Sequence, residues 1–142
     1  MVKASIPTVE TKFHIDLDWW QQQRRDFRLE LLNHLCADCK ASFGSHRDTE
    51  LVDWVDPETA EVKRVDGLWH SLRVCCSNRP EFLSPQTSLA TAVFRLFLAN
   101  GNEPLTPIEI WQRLGRRDPE TILRLLVNGR SYYGVLPVGA EN

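Results

Sequence analysis

The sequence predicts an α+β chain: a metal-stapled helix/β-hairpin/helix unit, followed by a three-helix module with a short β segment. Two observations carry this. All four cysteines fall in two short clusters, Cys36-Ala-Asp-Cys39 and Cys75-Cys76, flanking a stretch that alternates polar and apolar residues. Beyond residue 86 the chain switches to helical spacing, with an N-capping residue before each apolar stripe and glycine after it. The implied division is residues 1–78, a linker at 79–86, and residues 87–142.

The cysteine clusters come first because the rest of the first unit depends on them. A Cys-x2-Cys turn lets two thiolates face one point, and tetrahedral zinc needs two further ligands. The segment His70-Ser-Leu-Arg-Val-Cys75-Cys76 supplies candidates. We select Cys36, Cys39, His70 and Cys76 as the ligands of a Zn2+ ion. Cys75 is the nearest alternative, and a set using both adjacent thiols is also open. Residues five apart on a helix lie about 140° around its axis, so the helix must loosen before its last ligand. Four buried thiols acting as small hydrophobes is the competing account. Zinc is preferred because Cys-x2-Cys is followed by His-x5-Cys after a hairpin. A redox reading of the first pair lacks a surrounding βαβ pattern. Four protein ligands leave no open coordination position, so the ion is expected to be structural.

Composition narrows the class. The chain has 142 residues, 42% hydrophobic and 25% charged, which suits a globular protein. No apolar run approaches the roughly 20 residues of a membrane span, and Met1 to Pro7 lacks the apolar core of a secretory signal. A cytoplasmic location follows as the expectation, where paired cysteines more often hold metal than form disulfides. The formal net charge of −2 gives no bulk attraction to nucleic acid, so any such contact needs a local patch.

Taken in order, Phe13 to Leu17 alternates and is compatible with a short edge strand, though an extended arm over the domain is the preferred reading. Asp18 is expected to cap a single helix from Trp19 to Leu35, with Trp20, Phe27, Leu31 and Leu35 on one face. Lys40 to Asp48 reads as a polar loop, and its His46 ranks below His70 as a ligand. Glu50 to Asp56 and Glu61 to Val65 form a hairpin around Pro57–Ala60. Asp66 then caps a helix from Gly67 to about Cys76, with Leu68 and Leu72 inward. This order of knuckle, hairpin and helix resembles the treble-clef and ββα zinc fingers, in which a cysteine knuckle and a helix clamp the metal. The linker at 79–86 holds two prolines, and Phe82 and Leu83 are expected to dock.

In the second unit, Thr87 or Ser88 begins a helix running to about Ala99, stopped by Asn100-Gly101-Asn102. Thr106-Pro107-Ile108-Glu109 combines an N-cap, a proline at N1 and a capping-box glutamate. Gly115 ends that helix, and Asp118-Pro119 starts the third. Gly129 breaks the chain, and Ser131 to Pro137 reads as a β segment bent at Gly134. Residues 87–138 resemble the winged helix-turn-helix family, with Leu105–Gly115 like its second helix, Asp118–Leu126 like its recognition helix and Arg130–Val138 like its wing. The resemblance implies nucleic-acid contact through Arg116, Arg117, Thr121, Arg124 and Arg130, with Tyr132 and Tyr133 on the wing. Family members also bind proteins.

Catalytic motifs for nucleotide, dinucleotide, zinc-protease or serine-hydrolase chemistry do not occur in the sequence. The expected function is therefore non-enzymatic: a zinc-binding regulator or accessory factor of a nucleic-acid process such as transcription. The alternative is a protein-interaction adaptor whose zinc is purely structural. DNA or a protein is the expected partner, with no membrane and no small-molecule substrate.

Overall fold

One apolar helix organises the structure, a computed structural model that describes residues 6–43, 51–55, 58–60, 62–128 and 132–138. Its elements are β1 (Phe13–Ile15), α1 (Leu17–Gln22), α2 (Phe27–Asn33), α3 (Ala37–Phe43), β2 (Leu51–Val55), β3 (Val62–Asp66), α4 (Gly67–Val74), α5 (Leu89–Ala99), α6 (Pro107–Leu114), α7 (Pro119–Asn128) and β4 (Val135–Pro137). The chain is α+β, and its described strands form two antiparallel pairs, β1–β4 and β2–β3.

Helix α5 is the central element. Ser88 caps it, as expected, by accepting the Thr91 backbone N–H. Its buried residues are Ala92, Val93, Phe94, Leu96, Phe97 and Leu98, which cover more than one face. A helix apolar on most sides must be surrounded. Phe94, wholly buried, stacks on Tyr133 with ring centroids 4.4 Å apart and meets Trp20 at 6.1 Å and Phe27 at 6.4 Å. From α4, the Trp69 indole donates to the Leu98 carbonyl at 2.8 Å.

The single helix expected from Trp19 to Leu35 is instead two helices meeting at a corner. Asp16, not Asp18, caps α1, and Asp26 caps α2 by accepting the N–H groups of Arg28 and Leu29. Between them Arg24 adopts φ 55°. An internal aspartate offers the backbone a competing cap, and here tertiary packing favours it. On a straight helix Trp20 and Phe27 would sit about 10 Å apart along the axis. The corner brings their rings to 5.3 Å, edge to face, against Phe94.

The polar loop expected from Lys40 also begins as helix, since Lys40 to Phe43 belongs to α3. His46 lies outside the described residues. The hairpin forms where expected, with Leu51 opposite Asp66 and Val55 opposite Val62. Asp66 ends β3 and caps α4, and Arg28 of α2 reaches it through Nε at 3.0 Å and Nη2 at 3.2 Å. One aspartate thus starts one helix and pins another.

The preferred reading of residues 13–17 as an arm is corrected, because Phe13–Ile15 is a strand. Phe13 pairs with Pro137 and Ile15 with Val135, while Phe13 also bridges Leu105. The Asn102 carboxamide closes both polar groups of Ile15, accepting its N–H at 2.8 Å and donating to its carbonyl at 2.9 Å. Asn102→Ala should therefore lower the unfolding free energy by about 1–3 kcal/mol, since two buried backbone groups lose their partner. A shift in the urea midpoint at constant slope would show it; an unchanged midpoint would mean β1 is held by its neighbours alone.

The three-helix run α5–α6–α7 and its caps are as expected. Thr106 and Glu109 form the capping box, and Gly115 takes φ 66°. The described part of the segment likened to a wing is the strand β4 and the turn before it. Strand β4 pairs with β1 from the N-terminal region, and Tyr133 turns inward onto Phe94. Gly134 is required here. A Cβ on it would come within 2.6 Å of the Trp19 ring, and its φ is +70°. One apolar cluster draws residues from both sides of the linker, from Trp20, Leu31 and Leu72 to Phe97 and Ile110, with linker residue Phe82 inside it. Among the described residues, no helix is long and apolar enough to cross a membrane.

Candidate metal centre

The Cys36-x2-Cys39 spacing acquires a specific meaning in the structure. Leu35, buried in the core, anchors the end of the α2 turn, and Cys36 immediately precedes α3. The Cys36 carbonyl accepts the Lys40 N–H at 2.9 Å, which makes Cys36 the N-cap of α3 and Cys39 its third residue. An N-cap side chain and the N3 residue face each other across the first turn. A Cys-x2-Cys pair at a helix start therefore brings both sulfurs together without a separate knuckle loop. The Cys39 backbone N–H points at the Cys36 sulfur, and this is the largest reason its pKa falls to about 7.

The second pair arrives from the end of α4. The helix stops at Val74, Cys75 departs from helical geometry at φ −121°, ψ −64°, and Cys76–Asn78 forms a 3-10 turn. Consecutive residues of an unbroken helix point about 100° apart. The break at Cys75 removes that obstacle, so both adjacent thiols face the first pair. The loosening expected from the sequence occurs here. Cys76 is buried, and its sulfur accepts the Cys36 backbone N–H at 3.1 Å, which stitches the two pairs together.

The sulfurs of Cys36, Cys39, Cys75 and Cys76 all lie within 4.8 Å of one another. Around a metal bound at thiolate distance, tetrahedral sulfurs sit about 3.8 Å apart. The group needs only slight contraction to hold an ion. Burial pushes the Cys39 and Cys76 thiols upward, and the neighbouring sulfurs add to the effect at Cys39. Such crowding opposes several thiolates in isolation and is reversed by a bound cation.

Three of the four ligands selected from the sequence, Cys36, Cys39 and Cys76, are thus brought together. His70 is not among them; it lies half-buried on α4, and Cys75 takes the fourth position. The physical reason is the angular mismatch along α4: a side chain one and a half turns earlier faces another direction, whereas the residue at the helix break does not. The adjacency of two cysteines at a helix end is the signal in the sequence that could have pointed to Cys75, named above only as the nearest alternative.

Around the sulfurs stands a polar shell that spacing could not reveal. Arg79 donates to Asp38 at 2.9 Å and reaches the Cys75 sulfur at 3.9 Å, and these two contacts, Cys75 first, raise its pKa. His34, 7% exposed, is bonded through Nε2 to Glu30 at 2.9 Å, and its Nδ1 accepts from Arg95 Nε at 3.0 Å. Burial, then the Arg95 charge, lowers the His34 pKa, in keeping with a neutral ring.

Of the residues selected for nucleic acid, Arg116 is half-buried and Arg117 exposed on the α6–α7 turn, where Arg117 takes φ 61°. Arg124 is exposed on α7 and donates to the Thr121 hydroxyl at 3.2 Å. Thr121 also gives its backbone N–H to the capping Asp118 at 2.8 Å. Arg130 lies outside the described residues.

Fold and site define an α+β protein with a four-cysteine group able to hold a metal ion. Comparison of the chain with family models, with curated proteins and with solved structures found no match.

Proposed function

We propose that the four cysteines bind one zinc ion as a structural staple, in a non-enzymatic accessory factor of a nucleic-acid process. The observation that carries the metal reading is the convergence of four sulfurs from two helix ends, N-terminal for α3 and C-terminal for α4. An all-thiolate tetrahedral set favours zinc among common cellular ions and leaves no site for water or substrate. Metal analysis of purified chain should return one zinc per chain. A substoichiometric value, or loss of no more than one thiol's reactivity on loading, removes the reading.

The nucleic-acid part of the proposal is supported by local charge. Between Arg113 and Arg124 the chain carries four arginines against two carboxylates, although the whole protein is acidic. That imbalance sits on the turn and helix that resemble a recognition unit. Binding to duplex DNA should weaken steeply with salt. Arg116→Ala with Arg117→Ala should reduce the slope of log K against log salt by about 2, one for each phosphate left without its arginine. Binding that ignores salt, or is absent at low salt, leaves the adaptor reading in its place.

A further inference from the structure

The metal reading explains the sulfurs and leaves two guanidinium groups beside them, one paired with a carboxylate and one, among the described residues, not. Arg79 and Arg95 line one cleft together with Cys36 and Cys76. Arg79 shares its charge between Asp38 and the Cys75 sulfur. Arg95 is differently placed. Its Nε donates to His34 Nδ1 and its Nη1 to the Phe82 carbonyl at 2.9 Å, and both acceptors are neutral. Among the described residues no carboxylate stands within ion-pair distance of it. Glu81 lines the same cleft from an exposed position. A half-buried guanidinium with only neutral acceptors is unfavourable unless a negative charge lies close by.

A divalent cation held by four thiolates supplies that charge, since the centre as a whole is doubly negative. We propose that Arg79 and Arg95 are the counter-charges of the metal–tetrathiolate centre and slow the release of its ion. The inference rests on the reading that the cysteines bind a divalent metal. Arg79 acts by direct donation to the Cys75 sulfur, which withdraws charge from that ligand. Arg95 acts across the cleft, held in place by His34 and Phe82. Both are positioning residues, since neither touches the ion. A free anion in the cleft is disfavoured by the same account, because the sulfurs already balance the arginines.

The test uses the full chain loaded with one zinc and follows transfer of that zinc to a coloured competing chelator. Arg95→Gln and Arg79→Ala should each release zinc about tenfold faster, as expected for loss of an outer-sphere partner. Arg95→Lys keeps the charge and should stay within about threefold of the native rate. In the cobalt-loaded chain, Arg79→Ala should move the sulfur-to-metal charge-transfer band to lower energy, which a merely structural contact would not do. Native release rates in the Arg95→Gln and Arg79→Ala chains, with one metal still bound, overturn the counter-charge role and leave the metal reading standing. Equal acceleration in Arg95→Gln and Arg95→Lys also overturns it, by showing that hydrogen-bond geometry rather than charge matters. A native chain that binds no stoichiometric metal sinks the underlying reading itself.

Discussion

Cys76→Ser, or stripping the proposed metal with a strong chelator, should abolish cooperative melting of the intact chain or lower its midpoint by well over 10 °C. Structural zinc contributes about 10–16 kcal/mol of apparent binding free energy in small modules, which is comparable to the roughly 5–15 kcal/mol that holds a domain folded. The effect is concentrated at Cys76. It is buried at 1% exposure, belongs to the apolar cluster, and receives the Cys36 backbone N–H. Serine there loses a ligand and leaves a hydroxyl among apolar neighbours. His70→Ala, in contrast, should keep one equivalent of metal, because the fourth sulfur is that of Cys75. Identical melting curves with and without chelator would show that the sulfurs merely pack.

Phe94→Ala should destabilise the chain by about 3–5 kcal/mol, the range for deleting a fully buried aromatic ring. Phe94 is in contact with Trp20, Phe27, His34 and Tyr133, which come from α1, α2, the end of α2 and the approach to β4. Two of these neighbours, Trp20 and His34, are held by hydrogen bonds and are not free to fill the space it leaves. The Trp20 indole donates to the Tyr133 carbonyl at 2.8 Å, and His34 is bonded on both ring nitrogens. Guanidinium unfolding monitored by tryptophan fluorescence would measure the loss. A change below about 1 kcal/mol would mean that the surrounding rings collapse into the cavity, contrary to the packing described.

The two results bear on one another because the cysteine cluster and the aromatic core share a wall. His34 touches Phe94 at 5.2 Å between centroids, and two residues later the chain delivers Cys36. Damage to the aromatic hub is therefore expected to loosen the first cysteine pair, whereas surface changes on α6 should not.

What the sequence by itself determined is local. The capping box at Thr106 and Glu109, the left-handed stop at Gly115, the cap at Asp66 and the presence of the β2–β3 hairpin all arise between segments that are near neighbours in the chain. Such signals survive in one dimension because the groups that satisfy each other are neighbours in the chain. Cys-x2-Cys belongs with them, since it matches the N-cap and N3 positions of a helix. Tertiary structure alone decided the rest. It broke the first long helix at Arg24 so that two rings could meet, gave β4 the strand β1 as partner, and chose Cys75 over His70. It also gathered Arg79 and Arg95 beside the sulfurs. These outcomes depend on groups far apart in sequence whose approach is set by burial around α5, and burial of that kind has no period along the chain.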